Sequence, residues 1–362
     1  MLIEGAILDI DGPRPAYVRF RRGRIVEVGA PGTDSTRGRV RRVRGIVVPA
    51  PVNGHTHLGD AVSVREPPQG AVEELVAPPR GYKFQLLASS SRAAKVAAIR
   101  VALLRMIREG VGAVIDFREE GPLGVELMQE ARRGLPIRTV VLGRPVHRPI
   151  DLDELDRVLA LSDGIGLSSR RDETEATLRT VARACRLASK RYALHASEAV
   201  REPPESYLDP RPDLLVHLAK ATGEDLAAVR AEDVAVVICP RSNALFGRQP
   251  DLRAMERLGL RVLLGTDNAM FHTPSIWSEL QFAYTSSRLI DRAASAAFLA
   301  RSALVEPWVW LGEPEAARVA PGTPVRPLVV RLPAEDPAYQ LVTRTTEQFI
   351  VRVGPRPGRS PR

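Results

Sequence analysis

Residues 49–60 read PAPVNGHTHLGD. Two histidines, His55 and His57, stand one residue apart behind a short apolar run. Alternate residues of an extended chain point the same way, so both imidazoles can converge on one ion while Thr56 turns aside. Taken alone, the pair reads equally as two polar residues leaving a strand. What decides is where the other histidines fall.

The 362-residue chain has the length of a single α/β barrel with additions. Its 44% hydrophobic content is enough for a large core. No apolar run reaches the roughly 18 residues that a membrane span needs. The start, MLIEGAILDIDG, carries acids early and no basic region, so it reads as a strand and not as a signal peptide. A soluble cytoplasmic protein is the expectation. Cys185 and Cys239 are too few for a disulfide framework and wrongly spaced for a zinc finger. The net charge of +9 raises the question of nucleic acid. Only four of the 52 basic residues are lysine, the arginines are spread along the whole chain, and aromatics are 5%. That pattern is a solvated arginine-rich surface, so neither a nucleic-acid nor a membrane partner is expected.

Around residues 49–60 the patterning divides. Before them, LIEGAILDI, AYVRF and RIVEVG are short strands separated by Gly/Pro turns. After them, short apolar runs alternate with helical periodicities, as in successive βα units. Strands are expected at 45–49, 112–117, 137–142, 164–168, 192–195, 214–217, 234–239 and 261–265. Helices are expected at 84–109, 123–133, 151–161, 174–190 (capped around Asp172), 225–230 and 252–258. Eight strands with helices between most of them fit a (β/α)8 TIM barrel better than an open sheet. REPPESYLDPRPD, residues 201–213, holds four prolines and should be a loop or one short turn. RPLVVRL and QFIVRV return to β character near the other end. The predicted organisation is therefore an α/β chain. Residues 45–319 form the barrel, 1–44 and 320–353 build a small flanking β-sandwich from both termini, and 354–362 form a flexible tail.

The chain has six histidines. His55 and His57 follow strand one, His195 ends strand five in YALHASE, and His217 ends strand six in LLVHL. Asp267, in VLLGTDN, follows strand eight, which neighbours strand one in a closed barrel. Barrel active sites form at the C-terminal strand ends, so these side chains can share one cavity. Neutral imidazoles with a carboxylate are a metal-ligand set, and packing alone explains the combination poorly. His147 and His272 lack such placement and read as surface or loop contacts.

VNGHTHLGD, HASE, the strand-six histidine, CPRSN at 239–243 and LGTDN together resemble the amidohydrolase superfamily. The resemblance covers roughly residues 45–270. It is to the branch of cytosine, guanine and S-adenosylhomocysteine deaminases and the chlorohydrolases. Two-metal members place a bridging lysine after strand four, but here that strand ends GIGLSSRRD, without lysine. One divalent metal per chain is implied, zinc first, with iron or manganese as alternatives. The resemblance assigns His55, His57, His195 and Asp267 to the metal. It assigns Glu198 to proton shuttling and His217 to the reacting water, so the catalytic set is Glu198, His217 and Asp267. It implies a hydrolase of non-peptide C–N bonds, foremost a deaminase of a nucleobase-like or other cyclic amidine. Ring-amide hydrolysis, dechlorination and a non-catalytic binding barrel are the alternatives. Asn243 and the segment 75–87, where Lys83 or Arg80 can meet an anionic group, are the candidate substrate contacts. Trp277 and Glu279 read as packing beside the pocket. The expected partner is a small-molecule substrate, with homo-oligomerisation open.

Overall fold

The computed structural model describes residues 1–34 and 40–351. The expected tail, 354–362, lies outside the described residues. No helix among the described residues is long and apolar enough to cross a membrane.

Two sheets organise the chain. The first is built from both ends of it. Strands β1 (Leu2–Asp9), β2 (Gly12–Arg21), β3 (Arg24–Gly29) and β4 (Arg42–Val48) come from the N-terminal region. The second sheet carries β5 (Val52–His57), β6 (Ala113–Arg118), β7 (Arg138–Gly143), β8 (Gly164–Ser169), β9 (Arg191–Ala196), β10 (Leu214–His217), β11 (Ala235–Ile238), β12 (Val262–Leu264) and β13 (Asp267–Asn268). Strands β14 (Leu328–Val330) and β15 (Ile350–Val351) then return to the first sheet.

The nine-stranded sheet is parallel, and its members run in chain order from β5 to β12. Its two ends belong to one stretch of chain. β12 pairs with β11, and after two more residues β13 pairs with β5. The sheet therefore curls until its eighth and first members meet, the curled parallel sheet expected of a barrel. Side chains reinforce the seam: Asn53 Nδ2 donates to Thr266 Oγ1 at 2.8 Å, and the Thr266 N–H donates to Asn53 Oδ1 at 3.1 Å. Gly265 is required there, because a Cβ on it would lie 2.6 Å from His55 Cβ.

Strand one differs from its expected position. The apolar run at 45–49 falls largely in β4, which pairs with β1 and β14 in the flanking sheet. The barrel strand is VNGHTH itself, with all six residues buried. The expected flanking β-sandwich is borne out in part. Among the described residues it is one six-stranded sheet, β15-β14-β4-β1-β2-β3. Alternate residues face opposite ways: Leu8, Ile46, Val48 and Val330 join the large core, while Ile7, Val47 and Val329 join a smaller one with Val18 and Phe20.

The helix expected at 84–109 is two, Tyr82–Ser89 and Arg92–Arg108. The break is chemical: Ser91 Oγ accepts the Ala94 N–H at 3.2 Å as an N-cap. The helix expected from 174 spans Glu175–Leu187 and is capped by Thr174, not around Asp172. The proline-rich stretch holds one short helix, Pro204–Leu208, as expected.

The loop after β7 hangs on Glu154. Its carboxylate accepts the Val146 and His147 N–H groups at 2.8 and 3.0 Å and meets His147 Nδ1 at 2.9 Å. Burial pushes the carboxyl up, but the bonds from His147 and Val146 outweigh it and hold the group below the ordinary range. Its folded pKa is depressed, so this contribution is present above the unfolded value and is lost as pH falls through the folded one. Glu154→Ala should cost about 1–3 kcal/mol in urea unfolding at pH 7, and less at acid pH.

Candidate active site

The C-terminal ends of β5, β9, β10 and the β12–β13 stretch deliver His55, His57, His195, His217 and Asp267 to one place. His55, His57, His195 and Asp267 each offer one ligand atom, and these atoms all lie within 4.8 Å of one another. His55 Nε2 stands 3.3 Å from His195 Nε2 and 3.2 Å from Asp267 Oδ1. His57 Nε2 stands 3.4 Å from the same oxygen. Four tetrahedral ligands at the usual zinc–nitrogen and zinc–oxygen distances sit about 3.3 Å apart, so the separations fit one ion. Asp267 Oδ1 is buried with no hydrogen-bond partner of its own, which a cation among the three imidazoles would satisfy.

The far sides of two of the rings are fixed. His195 Nδ1 meets the Leu167 carbonyl at 2.8 Å. His57 Nδ1 meets the Phe117 carbonyl at 3.2 Å and Glu119 Oε1 at 2.6 Å. A proton held at Nδ1 leaves the Nε2 lone pair facing the cluster. Burial pushes His55 down, drives His57 to about 3 with help from Lys83, and drives His195 far below the usual range with help from the neighbouring histidines. Burial alone would raise Asp267, but the close approach of the His55, His217 and His57 rings holds it well below the carboxylate range. The donor set is therefore three neutral imidazoles and one carboxylate.

Backbone strain marks the same strand ends. Ser197, His217 and Asp267 have φ of +46°, +79° and +61°. Such left-handed values at non-glycine residues cost of order 1–3 kcal/mol each and persist only where the surroundings enforce them.

Beside the cluster, Glu198 Oε2 lies 3.6 Å from His217 Nε2, and that nitrogen lies 4.0 Å from Asp267 Oδ2. Burial raises the Glu198 carboxyl above the ordinary glutamate range, against the pull of His217. The short helix Pro240–Leu245 carries most of CPRSN and braces this group. Ser242 Oγ donates to Asp267 Oδ2 at 2.5 Å, and the Asn243 amide meets His217 Nδ1 at 3.1 Å. Glu279 holds that helix in turn, accepting the Arg241 N–H at 2.7 Å and Arg241 Nε at 2.5 Å. Trp277 is packed away from the pocket, donating to the Glu109 carbonyl.

A cavity of about 180 Å³ opens in front of the cluster. His57, Lys83, Arg144, Ser168, Glu198 and His217 are among its walls. Two expected substrate contacts stand differently from their reading. Asn243 is fully buried, is not among the cavity's walls, and touches His217 instead. Lys83 does line the cavity, but it is 1% exposed and pairs with Glu119 at 2.5 Å. It also donates to Asn268 Oδ1 at 3.0 Å. Arg80 is exposed. His147 is the loop contact described above, and His272 is a half-buried loop residue whose ring nitrogens have no partner among the described residues.

Sequence reading missed the charged group behind His57. Arg118 Nη2 meets Glu119 at 2.5 Å, and Arg118 Nη1 lies 3.3 Å from Asp116 Oδ2. Asp116 Oδ1 accepts the Leu58 N–H at 2.7 Å and the Thr56 hydroxyl at 2.9 Å, which ties β6 to the strand carrying the ligands. The signal was present in IDFREE, a charged run starting at the end of an apolar strand.

The model of the amidohydrolase family matches residues 46–304. A curated protein of Methanothermobacter thermautotrophicus, described as "Putative aminohydrolase", is 33% identical over 329 residues, covering 84% of each chain. Among solved structures, an adenosine deaminase from Xanthomonas campestris with bound zinc superposes with a TM-score of 0.75. It is 19% identical, and the match covers 96% of this chain and 90% of that one. An atrazine chlorohydrolase from Arthrobacter aurescens, complexed with zinc, also gives 0.75, at 18% identity over 94% of this chain and 90% of that one.

Proposed function

Because this chain belongs to the amidohydrolase family, we propose that it is a metal-dependent deaminase of a nucleobase-like or other cyclic amidine. The observation that carries this reading is the row Glu198–His217–Asp267 beside a four-ligand cluster, open to a cavity. His55, His57, His195 and Asp267 would hold one divalent metal, zinc first. The zinc reported with the two superposed structures supports that choice. When bound, such an ion makes water a competent nucleophile near neutral pH.

The chain's own groups do the rest. His217, with Nδ1 against Asn243, keeps its Nε2 turned to Glu198 and Asp267. From there it orients the attacking water. Asp267 takes the water's proton through the carboxylate that Ser242 braces. Glu198 keeps a proton to higher pH than an exposed glutamate, because burial disfavours its charged form. It delivers that proton to the ring nitrogen, which keeps it; as the C–N bond breaks, the proton held on Asp267 goes to the departing amine, and the hydroxyl that becomes the carbonyl returns a proton to Glu198.

The test is ammonia release from a panel of cytosine, guanine, adenosine derivatives and aminotriazines by the metal-loaded protein. Ammonia from one ring class supports the reading. Halide from a chlorotriazine, or a ring-opened acid, would instead mean that the same site displaces another leaving group. The likeness to the chlorohydrolase keeps that second reading in view. Asn243→Ala should lower kcat by about 10-fold or more with a smaller change in KM, because it frees His217 without touching the cavity. Steady-state kinetics on the substrate so identified checks it.

A further inference from the structure

Two polar groups on the cavity wall have hydrogen-bonding capacity that nothing in the fold uses. Arg144, immediately after β7, is 5% exposed. Its one side-chain hydrogen bond among the described residues runs from Nε to the Gly166 carbonyl, at 3.1 Å. Its nearest anion, Glu119 Oε1, is 3.8 Å from Nη1, beyond hydrogen-bond reach. That oxygen lies closer to two other groups, Lys83 Nζ at 2.5 Å and His57 Nδ1 at 2.6 Å. The terminal nitrogens of Arg144 therefore keep free N–H donors. Ser168, near the end of β8, is 6% exposed, and its Oγ is buried with no partner. Both residues line the cavity in front of the metal ligands.

The other cations on that wall are engaged. Lys83 is held by Glu119 and Asn268, and Arg171 pairs with Glu73 at 3.3 Å across the rim. A nearly buried guanidinium with unused donors is costly unless its partner arrives from outside. A planar fork of N–H groups matches a carboxylate, which can accept from two of them at once. The Ser168 hydroxyl supplies one further donor.

We propose that Arg144 and Ser168 form an anion-accepting subsite, and that the substrate is an amino-heterocycle bearing a carboxylate. Arg144 is separated from His57 by the single side chain of Glu119, so the carboxylate sits on the ring or within a bond or two of it. The inference rests on the cavity being the substrate pocket. It does not require turnover, so it can stand if the deaminase reading falls.

The test is calorimetric titration of the zinc-loaded protein with three matched probes: pyrimidine-4-carboxylate, pyrimidine-4-carboxamide and unsubstituted pyrimidine. The wild type should bind the carboxylate at least about tenfold more tightly than either neutral probe. Arg144→Met should remove that preference and leave the neutral probes unchanged, while Arg144→Lys should retain part of it. If Arg144→Met does not fold, Ser168→Ala decides, with an expected loss of about threefold for the carboxylate alone. Failure of the wild type to prefer the carboxylate overturns the proposal. So does a preference that survives Arg144→Met, which would place the carboxylate on the metal, or one left undiminished by Ser168→Ala where that variant decides.

Discussion

Glu198→Gln is expected to lower kcat by about 10²–10⁴-fold, with metal content and melting temperature close to wild type. Glutamine keeps the shape and the neutral polarity of a protonated carboxyl but cannot give up and regain a proton. Glu198 is not among the four clustered ligands, and its carboxylate reaches His217 only at 3.6 Å, so the substitution leaves the cluster intact. A shuttle contributes through proton transfer, and that contribution disappears entirely in the amide. Glu198→Asp keeps the chemistry but shortens the reach, so it should fall between the two. Kinetics with metal analysis on the same samples separates the outcomes. Activity within threefold of wild type in Glu198→Gln would remove Glu198 from the reaction.

Glu119→Ala is expected to destabilise the protein by about 3–5 kcal/mol, the usual consequence of breaking a buried ion network by deleting one partner. Glu119 accepts from Arg118 and lies in ion-pair contact with Lys83 and His57 within a buried site. Burial alone would push its carboxyl up, but Lys83, His57 and Arg118 hold it well below the ordinary range. Removing it leaves two buried cations, 1% exposed each, without that shared counter-charge. It also frees His57 Nδ1, so metal affinity should fall as well. Adding Lys83→Met to Glu119→Ala should recover part of the loss, because one uncompensated charge leaves with it. Urea unfolding of the two variants provides the check, and a cost below about 1 kcal/mol for Glu119→Ala would contradict the network's role.

The site was legible because histidine is scarce in this chain and falls at strand ends. The ligand cluster needs no more than that placement. What the sequence hid is the group whose partners come from distant strands. Lys83 reads as a charge free to meet a substrate, and only the fold shows it held by Glu119, which comes from the neighbouring βα unit. Asn243 reads as a substrate contact, yet it meets His217, and its neighbour Ser242 braces Asp267.

Strand one shows the limit of hydropathy most clearly. The apolar run at 45–49 looks like the barrel strand, but the barrel strand is VNGHTH, also buried throughout. Its burial is supported by the Asn53–Thr266 pair, the Thr56–Asp116 bond and the histidine cluster, none of which an apolar pattern records. The flanking sheet was legible as β structure from both ends, but its strand order depends on β14 finding β4 across some 280 residues of chain.

Metal stoichiometry tests the central claim most directly. Elemental analysis of the purified wild type should find about one divalent ion per chain, zinc first. The ion should persist in Glu198→Gln and be lost in a His55→Ala/His195→Ala double variant. Full activity without metal, two ions per chain, or an unchanged content in the double variant would contradict the four-ligand site.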